Sequence, residues 1–309
     1  MKILVTGTSG FLGNAIRHHL ISKGYDTYGT TRSRPPEDDK EFHFDITKDS
    51  CRKTFDNIKF DIIIHCIGLT DESAPYWLLE QTNVFGTKKI LQHAKTINCN
   101  HFIFLSSVSV YGINVMGQNR TENSVKISPH SYINKYGMTK AQAELEIMRA
   151  RIPYTVLRLP LMIGKGDKMV TPKLVDLIKD NKVYYLGNGN KLISIMPVKN
   201  LSVLISILVE KGALNQSLHA PSFHISLNSF VKEHSRLAKL PLQIRQGSIQ
   251  FFLINLPNIR KIILFYSWRG SHFIDSKIRS LIPEYHDMTS WKTALQESIG
   301  QVMENTVIL

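Results

Sequence analysis

Residues 1–13, MKILVTGTSGFLG, run from an apolar strand-like segment into three glycines, Gly7, Gly10 and Gly13, spaced three apart. A strand that ends in such a turn and passes straight into a helix can hold a phosphate. The glycines allow the tight turn and close approach, and the helix N–H groups face the anion. The next residues, FLGNAIRHHLISKG, carry a helical period, and YDTYGTT (25–31) is again strand-like, so the turn lies inside a βαβ unit. That context makes the stretch a dinucleotide-binding signature, with Phe11, Leu12 and Gly13 opening the helix.

The alternation continues outward from this unit. FHF (42–44), DIIIHC (61–66), HFIFLSS (101–107) and YTVLRL (154–159) read as strands, separated by segments with apolar residues three and four apart. The expected fold is α/β: a Rossmann doubly wound parallel sheet over residues 1–160, then a smaller C-terminal α/β substrate lobe over 161–309, interleaved with the first. After residue 160 the chain becomes rich in Gly, Pro and Asn. Helices are expected there at KNLSVLISILVEKG and MTSWKTALQESIGQVMEN, both in the lobe.

The residue ending the second strand decides which dinucleotide is bound. An acid there would take the ribose hydroxyls of NAD, but the chain reads GTTRS, with Arg32 and no carboxylate before Glu37. A guanidinium suits a 2′-phosphate, so NADP is expected, with NAD as the alternative. Arg17, one helical turn past Gly13, is a candidate second cation.

Tyr136 and Lys140 stand four apart in YGMTK at the start of a strong helical pattern, which puts both on one face. Both residue types are common, so the spacing alone carries no weight. Their place after the fifth strand does: its end, LSSVSVYG, sets hydroxyls at the carboxyl edge of the sheet, where such folds bind ligands.

With these pieces in order, the chain resembles the extended branch of the short-chain dehydrogenase/reductase superfamily, which modifies sugar nucleotides. The matching segments are TGTSGFLG (6–13), DIIIHCIGLTD (61–71), NVFGTKKIL (83–91), LSSVSVYG (105–112) and YGMTK (136–140). HCIGLTD and YGMTKAQAE are similar to the dTDP-4-dehydrorhamnose reductase group, and SSVSVYG also to the epimerases and dehydratases. The resemblance implies that Tyr136 protonates a carbonyl oxygen or takes the proton back. It implies that Lys140 lowers the tyrosine pKa and holds the nicotinamide ribose, and that Ser107 hydrogen-bonds the same oxygen. Asn83 would lie near the nicotinamide, and Asp45 and Ile46 beside adenine. A substrate of the nucleotide-diphospho-sugar class and a homodimer through helices 76–97 and 134–150 are further expectations. The resemblance stops short in two places: Leu161 stands where many relatives carry an Asn, and MPVKNL puts Lys199 and Asn200 where acids are common.

The formal charge of +13 attracts anions but is spread along the chain, with no Lys/Arg-rich block of the nucleic-acid-binding kind. Cys51, Cys66 and Cys99 lack metal or redox spacing and suit a reducing compartment. The N-terminal apolar run is too short for a signal-peptide core, so a cytoplasmic enzyme is expected. The scattered histidines offer no shared ligand face, and no metal is expected. The apolar stretch 249–268 is interrupted by Pro257, Arg260 and Lys261, which disfavours a transmembrane helix. A buried or dimer-facing segment is expected there, with membrane-surface contact as the alternative.

Three functions follow from this reading. The first is an NADP-dependent reductase of a 4-keto group on a nucleotide-activated deoxysugar. The second is an epimerase or dehydratase of such sugars. The third, from another class, is a non-catalytic subunit that keeps the nucleotide site.

Overall fold

The computed structural model describes residues 1–55, 58–115, 117–124, 134–247, 266–267, 269–285 and 289–307. The stretch 249–268 therefore lies outside the described residues, apart from Tyr266 and Ser267. In chain order the first elements are β1 (Lys2–Thr6), α1 (Phe11–Ser22), β2 (Asp26–Thr31), β3 (Glu41–His43), α2 (Cys51–Phe55) and β4 (Ile62–His65). There follow α3 (Tyr76–Glu80), a π-helical turn (Gln81–Phe85), α4 (Gly86–Thr96), β5 (His101–Ser107), a 3-10 segment (Val108–Val115), β6 (Gly117–Arg120) and α5 (Lys135–Ala150). Next come β7 (Tyr154–Leu159), β8 (Leu161–Ile163), α6 (Thr171–Lys179), β9 (Val183–Tyr185), β10 (Leu192–Pro197), α7 (Val198–Lys211), β11 (Gln216–His219) and β12 (Phe223–Ser226). The last are α8 (Leu227–Ala238), β13 (Ile244–Gln246), β14 (Ser271–Phe273), α9 (Ser276–Leu281) and α10 (Trp291–Val307).

The chain forms two compact units. The first comprises residues 1–114, 122–159 and 201–219. Its seven strands pair in the order β11-β7-β5-β4-β1-β2-β3, every pair parallel. The strand order reverses between β1 and β4, which is where such sheets open a crevice at their carboxyl ends. The central strands are buried on both faces, as parallel strands covered by helices must be. Phe44, Phe55, Phe60, Phe102 and Ile147 belong to one apolar core cluster that gathers side chains from β1, β3–β5, β7 and helices α2, α4 and α5.

The boundary expected at residue 160 needs two corrections, the first being residues 115–121, which the sequence placed in the Rossmann domain and which belong to the second unit. Residues 201–219, placed in the lobe by the sequence, belong to the first unit. β11 pairs in parallel with β7, and parallel neighbours need a crossover, which α7 supplies. The helix is tied down there by Tyr25 donating to Glu210 and by a His19–Ser206 contact.

The second unit comprises residues 115–121, 160–200 and 220–309. It holds a mixed sheet in the order β12-β10-β14-β6, with β8 also on β10, and a separate β9–β13 pair. Its core gathers Leu174, Ile178, Ile195, Phe230 and Leu295 from helices α6, α8 and α10 and the sheet. Asn200 is buried and donates to Ser222 and to the Thr289 carbonyl, a structural use of its amide.

Candidate active site

The site grows from the turn between β1 and α1. The Gly7 N–H donates to the Thr30 hydroxyl and the Thr8 N–H to the Thr30 carbonyl, so the turn is pinned across to β2. Gly13 has no substitute, because a Cβ there would run into the Gly7 carbonyl. Helix α1 begins at Gly10 with no side-chain cap, which leaves its first N–H groups for an anion.

A cavity of about 340 Å³ opens at these strand ends. Gly7, Ser9 and Gly10 line it from the turn, Thr30, Arg32 and Ser33 from the end of β2, and Phe44 and Ile46 after β3. Residues 66–69 line it after β4, with Leu78 and Thr82 opposite. No carboxylate is among these lining residues. The sequence named Gly7, Gly10, Arg32 and Ile46; most of the other lining residues follow strand ends within three positions and could have been found by extending each predicted strand, whereas Leu78 and Thr82 come from the helical run that follows.

Arg32 is exposed, and its charge acts on Asp45. Burial raises the Asp45 pKa, but hydrogen bonds from Thr47 and the Arg32 charge outweigh it and hold the carboxyl below its ordinary value. Arg17, the candidate second cation, is engaged by carboxylates in this structure. Its guanidinium is buried, with Nη2 donating to both Asp38 oxygens at 2.7 Å and Nη1 lying 3.6 Å from Glu37. Gly29 makes room for it, since a Cβ would come within 2.8 Å of the Arg17 Nε. Arg34 is spent on Glu41, a buried carboxylate that also takes the Thr8 hydroxyl.

The second half of the site lies where β5 meets α5. Asn134 caps α5 by accepting from the Gly137 N–H at 2.7 Å, and the Glu72 carboxylate accepts from the backbone N–H groups of Lys135 and Tyr136. The first turn of α5 is thereby fixed, and the Tyr136 phenol lies where the Ser107 hydroxyl acts on it, favouring its ionised form. Ser107 also accepts from the Ser109 N–H. One turn on, Lys140 is buried, donates to the Leu105 carbonyl at 2.6 Å and sits 4.0 Å above the Phe104 ring.

Asn83 falls in the π-helical turn, an irregularity that recurs at functional sites. Its amide accepts from the Leu69 N–H and donates to the Leu69 carbonyl and the Thr139 hydroxyl, so it joins the strand-end loop to α5. His65, buried between Thr6 and Thr87, is held neutral, with burial driving its pKa down to about 3.

Burial dominates the electrostatics here. It pushes the Tyr136 phenol up to about 12, against the Ser107 hydrogen bond and with help from the Glu72 charge. It brings Lys140 down to about 7, against Glu144 and Cys66. The expected depression of the Tyr136 pKa by Lys140 is not what the structure shows. The ammonium spends its charge on the Leu105 carbonyl and the Phe104 face.

A nucleotide crevice at a topological switch point beside a Ser–Tyr–Lys grouping defines a nucleotide-dependent oxidoreductase scaffold. The chain belongs to the NAD dependent epimerase/dehydratase family, whose model matches residues 3–219, and is an enzyme of that family. It is 28% identical over 238 residues to a sterol-4-alpha-carboxylate 3-dehydrogenase of Dictyostelium discoideum, covering 71% of this chain and 70% of that one. It is 27% identical over 232 residues to the GDP-6-deoxy-D-talose 4-dehydrogenase of Aggregatibacter actinomycetemcomitans, covering 71% and 74%. In three dimensions it is similar to UDP-glucuronic acid 4-epimerase from Bacillus cereus in complex with NAD, with TM-score 0.77, 17% identity and 99% of both chains covered.

Proposed function

We propose that the protein is an NADPH-dependent reductase that converts the 4-keto group of a nucleotide-diphospho-6-deoxysugar to a secondary alcohol. The observation that carries this reading is that Ser107 acts on the Tyr136 phenol beside buried Lys140, in the unit that also holds the nucleotide crevice. The cavity, the uncapped N-terminus of α1 and the glycine turn fit a dinucleotide. When bound, the dinucleotide supplies the hydride. Tyr136, whose phenol keeps its proton at neutral pH, gives that proton to the carbonyl oxygen as the carbon is reduced. Ser107 donates a hydrogen bond to the same oxygen as charge builds on it. Lys140 and Asn83 hold the nicotinamide ribose end, and Asp45 and Ile46 flank the adenine.

Arg32 at the end of β2, with no carboxylate lining the crevice, supports NADP over NAD. The GDP-6-deoxy-D-talose 4-dehydrogenase relative supports a nucleotide-sugar substrate oxidised or reduced at C4. Trp77 (66% exposed) and Phe85 (47%) on the α3–α4 run, with Leu145 and Met148 on α5, form apolar surface suited to a homodimer. Light scattering showing a monomer at working concentration would remove that part. No helix among the described residues is long and apolar enough to cross a membrane, and the three free cysteines suit the cytoplasm, where we place the enzyme.

The test is NADPH consumption with dTDP-4-keto-6-deoxyglucose, run beside Tyr136→Phe. Oxidation that falls by about a thousandfold in the variant supports the reductase. Interconversion of sugars without net cofactor consumption would make the enzyme an epimerase or dehydratase. NADPH binding with no turnover of either kind would leave the non-catalytic subunit.

A further inference from the structure

The first unit contains a buried polar chain that the reaction does not use directly. Glu144, fully buried and one helical turn beyond Lys140, accepts from the Ser106 hydroxyl at 2.7 Å and from Arg158 at 3.0 and 2.9 Å. Arg158, itself buried, donates on to the Tyr111 hydroxyl at 2.7 Å, and Tyr111 meets His219 at 2.7 Å. Ser106 lies between Leu105, which accepts the Lys140 ammonium, and Ser107, which acts on Tyr136. The carboxylate therefore grips the very strand end against which both site residues are set. It also sits at the i+4 position from Lys140, on the same helix face.

We propose that Glu144 is a positioning residue of the Ser107–Tyr136–Lys140 site: it ties α5 to the ends of β5 and β7 and sets, one helical turn from Lys140, a carboxylate whose charge favours the ammonium form against burial. The inference rests on the reading of Lys140 as the cation that holds the cofactor ribose. The groups that face Lys140 leave no other candidate among the described residues. From β4 and its end come His65, which is neutral, and Cys66, whose thiol burial pushes up to about 12. From β5 come the Leu105 carbonyl and the Phe104 ring, and from the π-helical turn the Asn83 amide, which lies with the ammonium beside Gly68. None of these is an anion at neutral pH. Arg158 shares the Glu144 carboxylate, so the ammonium receives part of that charge and not all of it. Burial opposes a lone ammonium, and an opposite charge close by is what restores it.

The test follows the ionisation of Lys140 in the full apo chain with lysine labelled at 13Cε, the signal being assigned by Lys140→Arg. In Glu144→Gln, which keeps one acceptor oxygen for Ser106 and the Arg158 Nε, loses the acceptor for the Arg158 Nη2 and removes the charge, the Lys140 titration midpoint moves to lower pH. Glu144→Asp, which keeps the charge, restores it towards the wild-type value. A midpoint in Glu144→Gln equal to wild type would overturn the proposal, whatever happened to stability. Should that single variant not fold, Glu144→Gln/Arg158→Gln exchanges the ion pair for a neutral pair. The same lowering of the midpoint is then expected, and its absence would overturn the proposal. The titration needs no substrate, so a chain without reductase activity still reports on Glu144, and failure of the two readings can be told apart.

Discussion

Two arginine–carboxylate clusters in the first unit are built from the same side chains and differ in what surrounds them. Arg17, itself 2% exposed, meets Asp38 and Glu37, whose side chains are 47% and 39% exposed. Arg158 meets Glu144, and the two are 2% and 0% exposed. The first cluster clasps the loop that carries Arg32 and Ser33 beside the crevice, where water and salt reach the carboxylates. The second lies under the Tyr136–Lys140 turn, where nothing but protein can satisfy the charges. The adenosine side can thus be adjusted cheaply, and the reacting end is fixed by interactions that cannot be removed one at a time.

Breaking the buried cluster should give the largest effect. Arg158→Met leaves Glu144 charged without its main partner, and the expected loss is about 3–5 kcal/mol in denaturant unfolding. Arg158→Met/Glu144→Gln should recover part of that loss, because the cost lies in the orphaned charge. If the double variant were as unstable as the sum of the singles, the two residues would be acting independently.

Burial also sets the response to acid. His65 titrates at about 3 and His101 at about 4 in the folded chain, both lowered by burial from 6.5. The unfolded chain therefore takes up protons that the native state refuses as pH falls below 6.5. Stability conferred by keeping each histidine neutral is intact above 6.5 and declines by about 1.4 kcal/mol per pH unit between there and about pH 4. His65→Gln, which offers polar atoms to Thr6 and Thr87, should flatten the stability–pH curve by about one such slope. An unchanged curve would mean that His65 is not neutral and enclosed.

The exposed side of the comparison carries the cofactor prediction. Arg32→Ala should weaken NADPH binding by about tenfold and leave NADH nearly unchanged, measured by quenching of protein fluorescence. Equal losses for both cofactors would show that Arg32 packs against the adenosine without recognising a phosphate.

How much of this was legible follows the same division. The glycine turn, strands β1–β5 and β7, and the Tyr136–Lys140 face were readable because each is local: a run, an alternation, a four-residue spacing. β11, QSLH, was not, since a four-residue strand without an apolar run is defined only by its pairing with β7. The π-helical turn at Asn83 was hidden because its neighbours keep a helical period on both sides. The partners of Arg17 were hidden for a similar reason. Its distance from Gly13 suggested a phosphate, while its real partners lie twenty residues away in a loop without periodicity. Glu144 was visible four residues after Lys140, but its meaning needed Ser106 and Arg158 from two different strands.

The smallest effect should come from the exposed clasp. Asp38 accepts twice from Arg17 and once from the Lys40 N–H, and these bonds, led by the one from Arg17, hold its pKa below the ordinary value against burial. Its contribution is therefore present above the carboxylate range and disappears as pH falls through it. Asp38→Asn keeps one acceptor and leaves Glu37 3.6 Å from the guanidinium, so Arg17 is not orphaned. With solvent screening, the expected loss is below about 1 kcal/mol and shrinks further at high salt. NADPH affinity should change less than about twofold, the clasp acting on the loop and not on the ligand. A loss that approached that of Arg158→Met, or that survived high salt, would show the clasp to be as enclosed as the buried pair, and the contrast between the two ends of the unit would fail.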